Sequence, residues 1–397
     1  MGKNVVKRIT KFNKNRDPEL VRMKYKALTD SPFRFFRGTC HLYYEDMPRK
    51  SFILSSPKTW VCGDLHLENF GSFKGDNRLA YFDMNDFDES MLAPCLVDVV
   101  RLCTSIFLSS GTDKIDHAGS VKLAKAFLQS YAHHLSSGHI RFIEKDTATG
   151  IVKNFLDTVA TRKRKDMLAR RVDFKGKKGT IKCDGVKAHV VKKEVKHKVK
   201  TAIEAWAKKN SLHPDFYKVF DVAGRTIGTG SLGIERYLVL VYGHGPGNPY
   251  VLDVKETLPA CGVKYSKVVQ PKWKNEAERL IAIQRRVQSA APAHLNPIKI
   301  GAKWFVQKEL QPFEDKIAFM DMGDRSDQFE QLVTDMGAIV AWNNLRCGGR
   351  QDSAIADELI KFGFKLPKLE KRILRYGETY ASTIIKYWKE YKHSYKE

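Results

Sequence analysis

Apolar residues recur at three- and four-residue spacing over 18–30 and 117–137, so both stretches are predicted helices. The same period returns over 273–290 and 325–345, and the tail from 366 onward is helical and rich in aromatic residues. Residues 94–109 are apolar almost throughout, which predicts a mostly buried helix beginning after Pro94. SFILSSPKTWVCGDL (51–65) and NRLAYFDMND (77–86) have the texture of strands. From 219 to 256 the chain turns to β pattern, with the Gly/Pro-rich GHGPGNP between two apolar runs as a hairpin connection. A further short strand is predicted in KWFVQKEL.

Chemistry enters where these elements meet. GTGSLG (228–233) lies between two strand patterns, VFDVAGR and IERYLVLVYG. A dinucleotide-binding loop would open a helix, and a Walker A loop would need a following GK[ST]. A glycine loop between antiparallel strands is the kinase arrangement, in which backbone amides of Gly228, Gly230, Ser231 and Gly233 would cover a nucleotide's phosphates. The next strand, YVLDVKE, carries Lys255 inside an apolar run, where a lysine calls for an anionic partner. The helix after it offers Glu278, or else Glu276, as that partner. WFVQKELQPFED then fits a strand running into a hinge, with Glu309 on the nucleotide side.

The stretch WVCGDLHLENFG (60–71) supplies the other half of such a site. Asp64, His66 and Asn69 have the kinase catalytic-loop spacing of Asp, a basic residue two on, and Asn five on. One carboxylate would orient the attacking hydroxyl and accept its proton, while an amide and a second carboxylate would hold Mg²⁺. The second carboxylate is expected in FDMNDFDE, where Asp83, Asp86 and Asp88 are the candidates and spacing from Asp64 fits Asp83 slightly better. Asp98, in PCLVDVVRL, is expected to anchor the catalytic loop through backbone hydrogen bonds. Arg37, in FFRGT, faces either substrate phosphate or an aromatic edge.

The two halves stand in reversed order, since the glycine loop and lysine follow the catalytic loop by more than 160 residues. A circular permutation reconciles them, with the helix at 325–345 placed where the helix before the catalytic loop normally packs. SPFRFFRG, GDLHLENFG, NDFDE, TRKRKDML, VAGRTIGTGSLG, VKE and ERLIAIQRRVQ together resemble the bacterial family catalogued as domain of unknown function 2252. GDLHLEN and NDFD are also similar to aminoglycoside and choline phosphotransferases. The resemblance implies an α+β, two-lobed, protein-kinase-like fold, circularly permuted. It also implies Asp64 as catalytic residue, Asn69 and Asp86 as metal ligands, and Gly228, Gly230, Ser231, Gly233, Lys255, Glu278 and Glu309 as nucleotide-binding residues. The sequence departs from the kinase pattern at Cys62, in place of a histidine, at His66, in place of a phosphate-facing lysine, and at Asp88, in place of the DFG glycine.

Composition narrows the class. The 397 residues give room for two or three core-forming units, at an ordinary 43% hydrophobic content. CLVDVVRLCTSIFL is interrupted by Asp98 and Arg101, so no transmembrane segment is expected, and no secretory signal is recognisable. Seven scattered cysteines without a CxxC pair point to a reducing, cytoplasmic setting. The net charge of +24 is concentrated between Arg162 and Lys200, with sixteen Lys/Arg against four Asp/Glu, and predicts weak, non-specific polyanion binding. The expected organisation is a basic N-terminal segment (1–30), the first part of a helical lobe with the catalytic and metal loops (31–150), a basic helical connector (151–215), a β-rich lobe (216–315) and a helical segment completing the first lobe (316–397). The expected function is an ATP- and Mg²⁺ (or Mn²⁺)-dependent phosphotransferase, with a small-molecule acceptor favoured over protein because the interval from Asp86 to Pro94 is short. The alternatives are a nucleotide-binding pseudokinase with a polyanion-binding segment, and a metallophosphoesterase, which lacks a downstream GNH-type ligand set.

Overall fold

The computed structural model describes residues 4–109, 115–175, 178–245, 247–311 and 326–395. The chain begins with four helices: α1 (Val5–Asn13), α2 (Pro18–Ala27), α3 (Pro32–Gly38) and α4 (Cys40–Asp46). Two antiparallel pairs follow, β1 (Lys58–Val61) with β4 (Met91–Pro94) and β2 (Phe70–Lys74) with β3 (Ala80–Met84). Next come α5 (Leu96–Ser109), α6 (His117–Ser137), α7 (Gly150–Thr161) and α8 (Arg164–Arg171), the hairpin β5 (Val172–Lys175) and β6 (Lys178–Ile181), then β7 (Ala188–His189) and α9 (Lys193–Asn210). The β-rich part comprises β8 (Val219–Arg225), β9 (Arg236–Val241), β10 (Tyr250–Glu256), α10 (Glu276–Val287), β11 (Asn296–Ile300) and β12 (Lys303–Glu309). The chain closes with α11 (Ser326–Arg346), α12 (Ala356–Gly363) and α13 (Leu366–Ser394).

Local chemistry sets the helix starts. The Asp17 carboxylate accepts from the amides of Glu19 and Leu20 (3.0 Å each), with Pro18 at the first helical position of α2. Ser31 and Pro32 repeat the device at α3, Asp116 caps α6 and Asn275 caps α10. Glycine ends α6, where Gly138 adopts φ 69°.

The helical core is built from both ends of the chain. One apolar cluster joins Val5 and Ile9 of α1 to Leu102 of α5, Phe127 of α6, Leu332 of α11 and Ile384 of α13. The crossing of α6 and α11 is tight, because a Cβ on Gly337 would lie 2.5 Å from the Phe127 carbonyl oxygen. Every residue of α5 is buried, including Asp98 and Arg101, so both charges need partners within the protein.

The larger sheet has the order β11-β12-β10-β9-β8-β7, antiparallel throughout. The first two strands of its β-rich stretch flank the glycine loop, the third carries Lys255, and α10 intervenes before the last two. Val222, Val239, Leu252 and Phe305 pack one face of this sheet against Val199 and Ile203 of α9. The opposite face carries Lys255 and meets Leu168, Val172 and Ile181.

Two expectations change. Residues 151–215 are more than a helical connector: β7 extends the large sheet and the β5–β6 hairpin packs on its face. Strand character in 51–65 is confined to Lys58–Val61, because Ser51–Ser56 folds into turns closed by Leu54 N–H to Ser51 O (3.1 Å) and Ser55 N–H to Phe52 O (3.3 Å). Among the described residues no helix is long and apolar enough to cross a membrane. The seven cysteines are free thiols.

Candidate active site

The stretch after β1 is held open by a buried carboxylate. Asp98 Oδ2 accepts from Cys62 N–H (2.8 Å) and Oδ1 from Gly63 N–H (3.1 Å), so α5 fixes the backbone leading into Asp64. Gly63 has φ 83°, and a Cβ there would meet the Glu89 carbonyl at 1.9 Å, which only glycine avoids. Burial raises the Asp98 pKa to about 6 against these donors.

Asp64 is gripped on one side only. Its Oδ1 accepts from Arg101 Nε (2.8 Å) and from Arg101 Nη2, while Oδ2 has no hydrogen-bond partner among the described residues. The Asp64 side chain keeps 21% of its surface exposed, and Arg101 keeps none. Arg101 is further seated over the rings of Phe36 (4.0 Å) and Tyr43 (5.1 Å). Burial pushes the Asp64 carboxyl up to about 6, opposed by Arg101 and reinforced by Glu89 and Asp86.

Asn69 works as a clasp between the two acidic loops. Its Oδ1 accepts from the amides of Asp86 (2.8 Å) and Asn85 (3.2 Å), and its Nδ2 donates to the carbonyls of Asp64 and Asp86 (3.3 Å each). Both lone pairs of the amide oxygen are thus engaged, and Asn69 could ligate a metal only by releasing one of those amides. The expected metal role of Asn69 becomes a positioning role here.

The three aspartates between β3 and β4 separate by environment. Asp83 is buried on the core side, where Oδ1 accepts from Asn343 Nδ2 (2.7 Å) of α11 and from Met84 N–H (2.7 Å). Asp86 is exposed and Asp88 forms an ion pair with Lys255. Burial raises the Asp88 pKa, with Asp86 adding to it and Lys255 opposing it. Arg279 of α10 pins this loop by donating to the carbonyls of Ser90 and Asp88 (3.0 Å for the latter), and Glu89 accepts from Cys261 N–H (2.5 Å).

Lys255 therefore meets Asp88, 167 positions away, and not the expected Glu278. The Glu278 amide donates to Asn275 Oδ1, the cap of α10 (2.9 Å), and Glu276 instead pairs with Arg279. Glu309 is likewise redirected. Its amide donates to Ala293 O (2.9 Å) and its carboxylate pairs with Arg78 (3.0 Å), so neither group is open to a base. Beside Lys255 on the same face, Asp253 is pinned between Arg225 (2.9 Å) and Arg236. Burial works against the Asp253 charge, and the two guanidinium groups outweigh it and hold the carboxyl far below its usual range.

In the glycine loop, Gly228 (φ 80°) and Gly233 (φ 99°) take left-handed backbone. Ser231 N–H returns to Gly228 O (3.1 Å), while the amides of Gly228, Thr229 and Gly230 donate to no group among the described residues. The loop leans on the N-terminal helices, with Arg34 Nε on Thr229 Oγ1 (3.0 Å) and Asp17 N–H on Gly233 O (3.2 Å). Arg37 pairs with Glu68, approaches His66 Nε2 (3.3 Å) and lies over Phe33 (5.9 Å).

A hard dication fits the Asp86 and Asp88 carboxylates only if phosphate oxygens and water complete its shell, as is usual for Mg²⁺. Among the described residues no group of three or more His, Cys, Asp or Glu side chains is arranged to hold a metal alone. Sequence pattern did not single out Arg101 or Arg279. The first had a signal, a charge inside an otherwise apolar helix, used only against a membrane span. No curated protein and no solved structure matches this chain. One family profile does, over residues 16–394, and the chain belongs to that family, described as "Uncharacterized protein conserved in bacteria (DUF2252)".

Proposed function

We propose that the chain is a kinase-like phosphotransferase whose two lobes are assembled from a circularly permuted sequence. It would use ATP with Mg²⁺ or Mn²⁺ and a small-molecule hydroxyl acceptor. The observation that carries this reading is the meeting of Lys255, on the third strand after the glycine loop, with Asp88 of the acidic loop. A lysine that would hold phosphate and a carboxylate that would hold a cation neutralise each other where these two segments meet. Further support comes from the strand sequence glycine-loop pair, lysine strand, helix, two strands. The short, pinned loop from Asp86 to Met91 leaves little room for a regulatory segment and favours a small acceptor.

In this mechanism Arg101 fixes Asp64 through Oδ1, leaving Oδ2 to orient the acceptor hydroxyl and take its proton as the oxygen attacks the terminal phosphorus. The loop amides and Lys255, released from Asp88, hold the phosphates. A dication bound by Asp86 and Asp88 would neutralise charge on the transferred phosphoryl group. The products are a phosphorylated acceptor and a nucleoside diphosphate. The engaged Asn69 oxygen favours one competing reading, a nucleotide-binding protein without turnover. A thermal-shift panel of nucleotides with Mg²⁺, followed by γ-phosphate transfer to a metabolite library, tests the proposal. Stabilisation without transfer supports the competing reading, and no stabilisation removes both.

The raised Asp64 pKa gives a pH signature. Below about 6 the carboxyl is protonated and cannot accept the hydroxyl proton, so turnover should fall as pH drops through that value and level off above it. A rate profile flat from pH 5 to 7 at saturating substrate would take Asp64 out of the proton-transfer role.

A further inference from the structure

Beside the glycine loop lie two basic side chains that the phosphotransferase reading does not use. Arg16, between α1 and α2, donates from Nη1 to the carbonyl oxygens of Gly230 (3.1 Å) and Leu232 (3.2 Å). Lys24 of α2 donates from Nζ to the same Gly230 oxygen (3.3 Å) and is only 1% exposed. Neither forms an ion pair among the described residues. Two cationic heads on one neutral carbonyl repel each other, and a buried cation without a counter-ion is unfavourable. Burial and Arg16 both lower the Lys24 pKa, while Glu89 and Asp64 are close enough to raise it. The glycine loop they hold lies against α3, whose Arg34 reaches Thr229 and whose Arg37 reaches His66 and Glu68 after Asp64. His66, at the position where the kinase pattern has a phosphate-facing lysine, is engaged with Arg37 and the Glu68 amide.

Among the described residues, the face that carries Lys255 also lacks an open apolar slot. Ala223, Leu238, Leu240, Val251 and Leu310 lie on that face and none is more than 6% exposed. Leu168, Val172 and Ile181 cover them, and a Cβ on Gly179 would lie 2.7 Å from Leu240 Cδ2. Asp253, between this patch and Lys255, is locked by Arg225 and Arg236. A nucleobase needs an accessible apolar slot, whereas a phosphate chain needs cations and free amides, and among the described residues only the second set is offered.

We propose that the phosphoryl donor is recognised through its phosphate chain, with Arg16 and Lys24 holding the terminal phosphoryl group against the glycine loop and no pocket among the described residues reading the base. This rests on the phosphotransferase reading and sharpens its donor class. The test is calorimetric binding of ATP, GTP, ADP and inorganic tripolyphosphate, each with Mg²⁺, to the full chain and to Lys24→Met and Arg16→Gln. The three triphosphates should bind within about fivefold of one another, because the shared phosphates make the contacts. Lys24→Met should weaken all three by about tenfold or more and ADP by much less, with a melting temperature at or above wild type because an uncompensated buried charge is gone. Arg16→Gln, at a less buried position, repeats the binding test should Lys24→Met fold poorly.

A nucleoside triphosphate preferred over tripolyphosphate by more than about thirtyfold would overturn the proposal, as would wild-type affinity in both variants. Base-selective binding with phosphoryl transfer defeats this proposal alone. Base-blind binding without transfer to any acceptor defeats the reaction alone and leaves the phosphate-chain site standing. Binding of none of the four ligands defeats both.

Discussion

Asp86→Asn is expected to lower phosphoryl transfer by roughly 10²–10³-fold, the usual loss when one group that stabilises transition-state charge is removed. Stability should stay within about 0.5 kcal/mol of wild type, because Asp86 is exposed and its replacement keeps the size of the side chain. Asp83→Ala is the reverse case. It strips an acceptor from buried Asn343 and should cost about 1–3 kcal/mol of stability, with the cleft chemistry retained in the folded fraction. Parallel denaturant unfolding and transfer assays separate the two. Equal activity loss in both variants would mean that the acidic loop acts through folding and not through a bound cation.

Asp64→Asn should abolish transfer and also destabilise the protein by about 3 kcal/mol, since it leaves the fully buried Arg101 charge without its carboxylate. The two effects can be pulled apart by adding Arg101→Met. Methionine fills similar space without charge and keeps apolar contact with Phe36 and Tyr43, so much of the lost stability should return. Transfer should not return, because the proton acceptor is still missing. Recovery of activity together with stability would assign Asp64 a purely structural role.

How far the sequence announced this site depends on the range of each interaction. Pro18, Asn275 and the hairpin at GHGPGNP act within a few residues, so local pattern located the elements around them. Asp98 was legible because a charge beside an apolar helix start needs nearby backbone donors, and Cys62 and Gly63 supply them. Lys255 was legible as a lysine in an apolar run, but its partner was not. Spacing favoured Glu278, whereas the fold brings the acidic loop to β10 and so delivers Asp88. Glu309 failed for a similar reason, since Arg78 reaches it from a turn that sequence does not place near the sheet. The strands at 172–189 were hidden by lysines, which sit at the hairpin end and on solvent-facing positions, while the inward apolar set is only Val172, Ile181 and Ala188 among the described residues. Arg16 and Lys24 left no trace, because nothing in their immediate sequence distinguishes them from surface charges.

The central claim is that the glycine loop, Lys255 and the acidic loops form one phosphate-binding cleft although they lie in opposite halves of the chain. Its most direct test is equilibrium binding of ATP, with and without Mg²⁺, to the wild-type protein and to Lys255→Met. The predicted result is saturable binding with Kd in the range of roughly 1 μM to 1 mM, tightened by Mg²⁺ and weakened by at least about tenfold in the variant. Absence of saturable binding, or equal affinity in the two proteins, would contradict it.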